Sequence, residues 1–166
     1  MTLPEGVEAG EVIRQLEQRL RSEQRLQIQT TCQELCDRLT RAFNVPGVNV
    51  AVLAVRPNNN QGELHGFYEP LDADEPARIS IWMRTAQRKQ VVAFKTFLRT
   101  LIHELCHHLD YELFQLPETF HTEGFYKRES TLVYALLGQA EQPKVRRENP
   151  VQRHSAVEAL QALRQK

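Results

Sequence analysis

Apolar side chains recur along residues 10–43 at steps of three and four, which is the period of one helix face. The charged stretch RLRSEQR at 19–25 interrupts this region, so the pattern predicts either a bent helix or two helices that meet there. VPG at 45–47 ends the pattern. The stripe consists of Ile13, Leu16, Leu20, Ile28, Cys32, Leu35, Leu39 and Phe43.

Three segments in the middle of the chain predict strands. VNVAVLAV at 48–55 carries β-branched residues on both faces and indicates a buried strand. ELHGFYE at 63–69 alternates between apolar and polar residues, and RPNNNQG before it predicts a loop. RISIWMR at 78–84 predicts a half-exposed strand. Its two faces carry Ile79, Ile81 and Met83 on one side and Ser80 and Trp82 on the other.

A second apolar stripe predicts a long helix over about 90–114. The stripe consists of Phe94, Leu98, Leu101, Leu105 and Leu109. This helix ends before Pro117, since the residue before a proline avoids helical backbone angles. A third helix is predicted from Thr122, which can act as its N-cap, to Gly138 as its stop. A last helix is predicted over 150–165.

These elements together predict an α+β fold in a single domain of residues 1–166. We expect a small three-stranded sheet that packs with the N-terminal helical region 10–43 and with the later helices. Residues 1–9 are expected to form a loose tail. A chain of 166 residues is long enough to bury a sizeable core.

Composition and charge narrow the class of protein. The chain has 21 basic and 21 acidic residues, so no global charge favours nucleic acid or an anionic membrane as a partner. The longest apolar run, VAVLAV at 50–55, is too short to span a bilayer, and the N-terminus lacks the apolar region of a secretory signal. Three cysteines, two of them four apart in a helical pattern, favour a reducing cytoplasm over a disulfide framework. We therefore expect a cytoplasmic protein.

The segment HELCHHLD at 103–110 contains the pattern HExxH inside the predicted helix 90–114. Four helical residues turn the chain by about 400° and advance it by about 6 Å, so His103 and His107 lie on one face, one turn apart. Two imidazole nitrogens can then reach one zinc ion at about 2.0–2.1 Å. Glu104 is rotated away from the metal and is placed to take a proton from a zinc-bound water. The pattern predicts a zinc site with Glu104 as its catalytic base.

A catalytic zinc site needs a third protein ligand and an open fourth position. His121 is the favoured third ligand, because the turn at Pro117 allows the chain to double back over the motif helix. Glu129, on the next helix, is the alternative ligand, or else it supports a ligand through a hydrogen bond. Glu123 is a weaker alternative ligand.

Two more residues near the motif are candidates for supporting roles. Asp110 can accept the second N–H group of a histidine ligand, although an ordinary surface role fits it equally well. Tyr126 can stabilise an oxyanion from the third helix, although packing is the simpler role.

HELCH followed by HTEGF at 121–125 resembles the HExxH…HxxxF/W arrangement of SprT-like and WLM-type zinc metallopeptidases. The upstream segment GELHGFYEPLDADEPARISIWM at 62–83, with its Gly-x-Tyr, resembles the strand pair before their catalytic helix. The resemblance covers a catalytic core of about 48–139 and leaves 10–43 and 150–165 unexplained. It implies a minimal zincin fold and a substrate strand along the edge strand, here 78–84.

The resemblance also implies zinc ligation by His103, His107 and His121, with Glu104 as the general base. The chain lacks a zinc-ribbon tail and is not basic, so the DNA-linked role of some SprT-like proteins is not expected. We therefore expect a zinc metalloendopeptidase acting on a peptide or protein substrate. The alternative is a non-catalytic zincin-like zinc module with a binding or regulatory role.

Overall fold

The computed structural model describes residues 1–59, 62–72 and 75–142, and the helix predicted at 150–165 lies outside them. The described chain has an α+β architecture of four helices and a small three-stranded mixed sheet, which confirms the predicted class. None of its helices has the combination of length and apolar character needed to cross a bilayer. The helices are α1 (Gly10–Arg21), α2 (Arg25–Phe43), α3 (Phe94–Glu112) and α4 (Glu123–Glu141). The strands are β1 (Asn49–Val55), β2 (Asn58–Asn59), β3 (Gly62–Glu63), β4 (Gly66–Glu69) and β5 (Arg78–Arg84).

The N-terminal helical region consists of two helices, which decides between the two alternatives that the sequence left open. Glu23, between α1 and α2, has a φ of +58°, a left-handed angle that a continuous right-handed helix does not accept. The two helices pack against each other, and their apolar stripes enter the core. The charged stretch 19–25 therefore marks a helix–helix junction.

The sheet order is β1-β5-β4, with β1 parallel and β4 antiparallel to β5. Two sequence expectations were wrong here. β5 is the central strand rather than a half-exposed edge, so Trp82 is only 9% exposed. β1 is an edge strand that buries Val50 and Val52 on one face, while Leu53 on the other face is 40% exposed. Strand order depends on contacts between distant segments, which the local pattern does not contain.

The segment predicted as one strand over 63–69 is interrupted at Leu64 and His65. Gly62–Glu63 pairs with Asn58–Asn59 as two short antiparallel strands, and all of these residues except Glu63 lie in the stretch 56–62 that we expected to be a loop. Only Gly66–Glu69 joins the main sheet. The interruption separates the two short strands from the strand that lies beside α3.

The helix boundaries differ from the predictions at two places. α3 begins at Phe94 rather than near 90, because Val91 forms a β-bridge with Arg84 and keeps the preceding chain extended. α4 continues past Gly138 to Glu141. Its last turn packs on α1, where Arg14 donates a hydrogen bond to the Ala140 carbonyl at 2.9 Å.

Residues 1–9 contain no helix or strand, yet their end is held in place. The Ala9 N–H donates to Gln139 Oε1 at 2.8 Å, and Gln139 Nε2 donates to the Val7 carbonyl at 2.7 Å. Ala9 is fully buried. The segment that we expected to be loose is therefore fastened to the end of α4.

Candidate metal centre

Three histidine side chains converge beside α3. His103 and His107 lie one turn apart on this helix, as the HExxH spacing predicts. The Nε2 atom of His121 lies 3.0 Å from Nε2 of His103 and 3.1 Å from Nε2 of His107. One nitrogen from each ring therefore points at a common centre, and the three residues lie close enough to bind one metal ion.

The chain beyond α3 brings His121 back over the motif. Gln115 takes a left-handed φ of +53°, and the Leu116 N–H donates to the Asp110 carbonyl at 3.0 Å, which reverses the chain direction after the helix. Thr122 then caps α4 by accepting a hydrogen bond from the Phe125 N–H at 3.2 Å, as predicted. His121 is fixed between this reversal and the start of α4.

Two of the three nitrogen–nitrogen distances fit a tetrahedral metal ion. Ligand nitrogens at about 2.0–2.1 Å from zinc, in tetrahedral arrangement, are separated by about 3.3 Å, close to the 3.0 and 3.1 Å observed. Three imidazoles leave one coordination position for water or substrate. The donor set therefore suits an open, catalytic type of site.

Glu129 contacts His103 at Nδ1, on the side of the ring that faces away from the three clustered Nε2 atoms. Its Oε2 accepts a hydrogen bond from His103 Nδ1 at 2.9 Å, and its Oε1 accepts one from Arg99 Nη1 at 2.5 Å. A carboxylate can only accept here, so His103 donates from Nδ1, and its Nε2 is the nitrogen left to face the other two rings. Of the two roles weighed for Glu129, the geometry favours the supporting one.

A second chain of hydrogen bonds supports His107. Its Nδ1 donates to Thr119 Oγ1 at 2.8 Å, and that hydroxyl donates to Asp110 Oδ2 at 2.9 Å. Arg128 Nη2 donates to the other Asp110 oxygen at 2.5 Å. Asp110 is buried and acts through Thr119 rather than directly on the ring. This network links α3, the loop after it and α4 at the metal centre.

Phe125 forms the apolar floor of the cluster. Its ring centroid lies 4.9 Å from that of His103, 4.6 Å from His107 and 5.2 Å from His121. The HxxxF spacing places this aromatic residue one turn after His121, where it is fully buried under all three histidines. Tyr126 stacks on the His121 ring at 5.9 Å, and its oxyanion role stays a prediction.

Glu104 lies next to the cluster against β4. A Cβ atom built on Gly66 would overlap the Glu104 carboxylate, so only glycine leaves space for it there. The Glu104 side chain is buried, and this burial raises its pKa to about 7 in the metal-free protein. Such a carboxyl group can exchange a proton near neutral pH, as a general base requires.

Two of the three histidines, His107 and His121, have lowered pKa values, which favours the neutral form that binds metal. Burial, with the neighbouring charges of His103 and His121, lowers the pKa of His107 to about 4. Burial also lowers the pKa of His121, and the His103 charge adds to this effect. Protons therefore compete weakly with a metal ion at both rings.

His108 is a fully buried, packed histidine of α3 that does not join the three converging histidines. Its Nε2 donates to the Pro46 carbonyl at 2.8 Å, so its Nδ1 must accept from the Tyr68 hydroxyl at 2.9 Å. The Gly-x-Tyr segment thus has two functions: Gly66 makes room for Glu104, and Tyr68 ties β4 to α3.

An open cleft of about 580 Å³ leads to the metal centre between β4 and α3. Its walls include Gly66, Phe67 and Tyr68 of β4 and Arg99, His103 and His107 of α3. The three histidines thus face a cleft that is open to solvent, and the largely buried Glu104 lies in its wall.

No family model matches the chain, and no curated protein or solved structure matches it significantly. The similarity to SprT-like and WLM-type enzymes therefore remains a prediction from the motifs.

Sequence reasoning missed three polar supports of the site, Arg99, Thr119 and Arg128. Their contacts join residues 9 to 30 positions apart in the chain, and none of these residue types is unusual on a helix or in a loop. The position of Arg99, one turn before His103, was the only local signal that could have identified it.

Proposed function

We propose that the protein is a zinc-dependent metalloendopeptidase that hydrolyses peptide bonds in a peptide or protein substrate. The observation that carries this proposal is the convergence of three histidine Nε2 atoms at an open cleft, beside a buried Glu104. The combination supports membership of the SprT-like and WLM-type group, with a zincin-like fold.

Zinc is the metal that this donor set suits best. Three neutral imidazoles and an open position are typical of catalytic zinc, whereas magnesium and calcium prefer oxygen ligands. When bound, zinc supplies Lewis-acid chemistry, which makes a coordinated water more acidic and stabilises negative charge on a carbonyl oxygen.

Glu104 has the role of proton carrier in this proposal. It accepts a proton from the attacking water and later delivers it to the leaving amine. Gly66 leaves the carboxylate room beside β4, and Glu129 and Thr119 hold the two helix histidines in their tautomers. Each of these groups prepares the site before substrate arrives, which lowers the cost of orienting the reactants.

The substrate strand is expected on β4 instead of on 78–84, because β5 is central in the sheet. β4 pairs only with β5 among the described residues, and it lines the cleft. An extended peptide can add to such a free edge through its main-chain groups. The other sheet edge is less available, because Gln29 and Gln33 already bond the Val52 and Val50 N–H groups.

The proposed location is the cytoplasm. All three cysteines are free and buried, and Cys32 and Cys36 lie on one helix without forming a disulfide. This arrangement is typical of a reducing compartment.

The deciding experiment compares the wild type with Glu104→Gln and His121→Ala. We expect about one zinc per chain in the wild type and in Glu104→Gln, and much less in His121→Ala. Cleavage of a protein-derived peptide mixture, followed by mass spectrometry, should fall at least a hundredfold in both variants. Zinc in the wild type together with full cleavage by Glu104→Gln would contradict the mechanism.

The same experiment separates the alternative, a non-catalytic zincin-like module. That alternative predicts bound zinc in the wild type, no cleavage by any variant, and loss of stability when zinc is removed. The open cleft and the buried Glu104 favour the enzyme, because a purely structural site needs neither a base nor an accessible position.

A further inference from the structure

One cationic side chain lines the cleft beside the metal centre. Arg99 is the only arginine or lysine among the described residues of the cleft wall. It lies four residues before His103, which places its Cα about 6 Å along α3 from that ligand. Thr96 and Thr100 flank it on the same wall. This end of the cleft is therefore polar, with a single positive charge.

Arg99 is anchored on one side and exposed on the other. Its Nη1 donates to Glu129 Oε1 at 2.5 Å and lies 3.4 Å from Ser130 Oγ. The Glu129 side chain is 4% exposed, whereas the Arg99 side chain is 44% exposed. The buried carboxylate thus fixes the guanidinium without withdrawing it from the cleft.

Most of the hydrogen-bonding capacity of Arg99 remains unused. A guanidinium has five N–H donors, and both contacts above involve Nη1. The Nε and Nη2 groups have no protein partner among the described residues. A planar pair of donors held in this way matches the two oxygens of a carboxylate.

The remaining charges of the cleft wall do not satisfy these donors. Glu63 is engaged by Arg56 at 3.4 Å and by the Ala86 N–H at 3.2 Å. Glu129 already accepts hydrogen bonds from both Arg99 and His103, one on each carboxylate oxygen. Glu104 lies against Gly66 on β4. An incoming carboxylate is the group that would complete the Arg99 site.

We infer that Arg99 binds a carboxylate of the substrate and makes the cleft selective for substrates that carry one near the scissile bond. This inference rests on the proposed function. A step of about 6 Å along α3 corresponds to about two residues of an extended peptide. The carboxylate therefore belongs within two residues of the bond that is cleaved. It comes from an acidic side chain or from the C-terminus of the substrate.

Binding can be tested without cleavage by titrating the zinc-loaded full chain with three small probes. Acetyl-glutamate amide carries only a side-chain carboxylate, acetyl-alanine carries only a terminal one, and acetyl-glutamine amide carries neither. We expect at least one carboxylate probe to bind about tenfold or more tightly than acetyl-glutamine amide. Arg99→Gln should remove this preference, and the probe that loses it identifies the source of the carboxylate.

Two controls test whether a change in probe binding is specific to Arg99. Arg21→Gln removes a 78% exposed arginine side chain from α1 and should keep the preference, which excludes a general charge effect. Zinc content is measured in Arg99→Gln, because Glu129 also contacts His103. A carboxylate preference that is absent, or that survives in Arg99→Gln because the probe binds the metal directly, would overturn the inference.

Cleavage of two peptide libraries then separates this inference from the proposed function. One library has blocked termini and contains Asp and Glu, and the other has free C-termini and no acidic residues. Cleavage without a preference that depends on Arg99 would reject the inference and keep the peptidase. Arg99-dependent binding without any cleavage would keep the carboxylate site and reject the peptidase.

Discussion

At the scale of single residues, each histidine of the metal centre is held by a different neighbour. Glu129 accepts from His103, Thr119 accepts from His107, and Tyr126 stacks on His121. The first two contacts fix the tautomer of a ligand, and such supporting hydrogen bonds commonly change metal affinity by about 10- to 100-fold.

Thr119→Val should weaken zinc binding by about 10- to 100-fold, because it removes the acceptor of His107 Nδ1 and one donor to the buried Asp110. Zinc affinity is measured by competition with a chelator of known strength. Thr119→Ser keeps the hydroxyl and should bind zinc within a few-fold of the wild type. Equal affinity in the valine and serine variants would show that the hydroxyl does not support the ligand.

Gly66→Ala should lower peptidase activity about a hundredfold while zinc content stays near one per chain. The new Cβ atom would push the Glu104 carboxylate away from its present position beside β4, and a displacement of about 1 Å can have an effect of this size. Gly138→Ala is the matched control. It meets open space within α4 and should stabilise the helix by about 0.5–1 kcal/mol without affecting activity. Undiminished activity in Gly66→Ala would argue against Glu104 as the base.

The residues that sequence could identify at this scale are those whose spacing carries the chemistry. His103, Glu104 and His107 follow from one helical turn, and His121 follows from the turn that returns the chain to them. Gly66 and Phe125 belong to the Gly-x-Tyr and HxxxF motifs, but the sequence did not indicate what either residue does in the site. Their roles depend on contacts with α3 from separate segments of the chain.

At the scale of elements, the two edges of the sheet differ in whether other groups hydrogen-bond to them. The outer edge of β1 bonds to side chains of α2: Gln33 accepts from the Val50 N–H at 2.8 Å, and Gln29 accepts from the Val52 N–H at 3.0 Å. Glutamines four apart on a helix thus replace a neighbouring strand. A sheet edge covered in this way is protected from pairing with other chains.

Gln33→Leu should destabilise the protein by about 1–3 kcal/mol, because it leaves the Val50 N–H and the Val48 carbonyl without their partner. The free energy of unfolding is measured by urea denaturation. Gln27→Leu, at an exposed position of the same helix, should change it by no more than about 0.5 kcal/mol. Similar values for the two variants would show that the edge bonds contribute little.

Helices were easier to predict than sheet positions for a physical reason. The residues of a helix face come from one continuous segment, so the apolar stripes of α1, α2 and α3 could be recognised in the sequence. Whether a strand is central or at an edge depends on which other strands pair with it. β5 alternates like an edge strand, yet it lies between β1 and β4.

At the scale of the whole molecule, the candidate metal centre joins separate parts of the chain. α3 supplies two of the three histidines, the following loop supplies the third, and α4 supplies Phe125 and the two supports Arg128 and Glu129. α4 also packs on α1 at its other end. Zinc bound only by the folded state should therefore stabilise the whole described domain by mass action.

Without metal, the site should make stability depend on pH in two opposing directions. The pKa of His107 is lowered in the folded state, so the unfolded chain binds more protons and stability falls as pH decreases from about 6.5 to about 4. The pKa of Glu104 is raised by burial, so the folded chain binds more protons and stability falls as pH increases from about 4.5 to about 7.

Replacing Glu104 separates the two effects. Metal-free Glu104→Gln should be more stable than the metal-free wild type at pH 8, on the order of 2 kcal/mol, because it removes a buried charge. The difference should shrink as pH falls and disappear below about pH 4.5, where Glu104 is neutral in both folded and unfolded chains. Urea denaturation across this range measures it. A difference that is independent of pH would show that Glu104 ionises in the folded protein as easily as in the unfolded chain, and its burial would then not prepare it as a base near neutral pH.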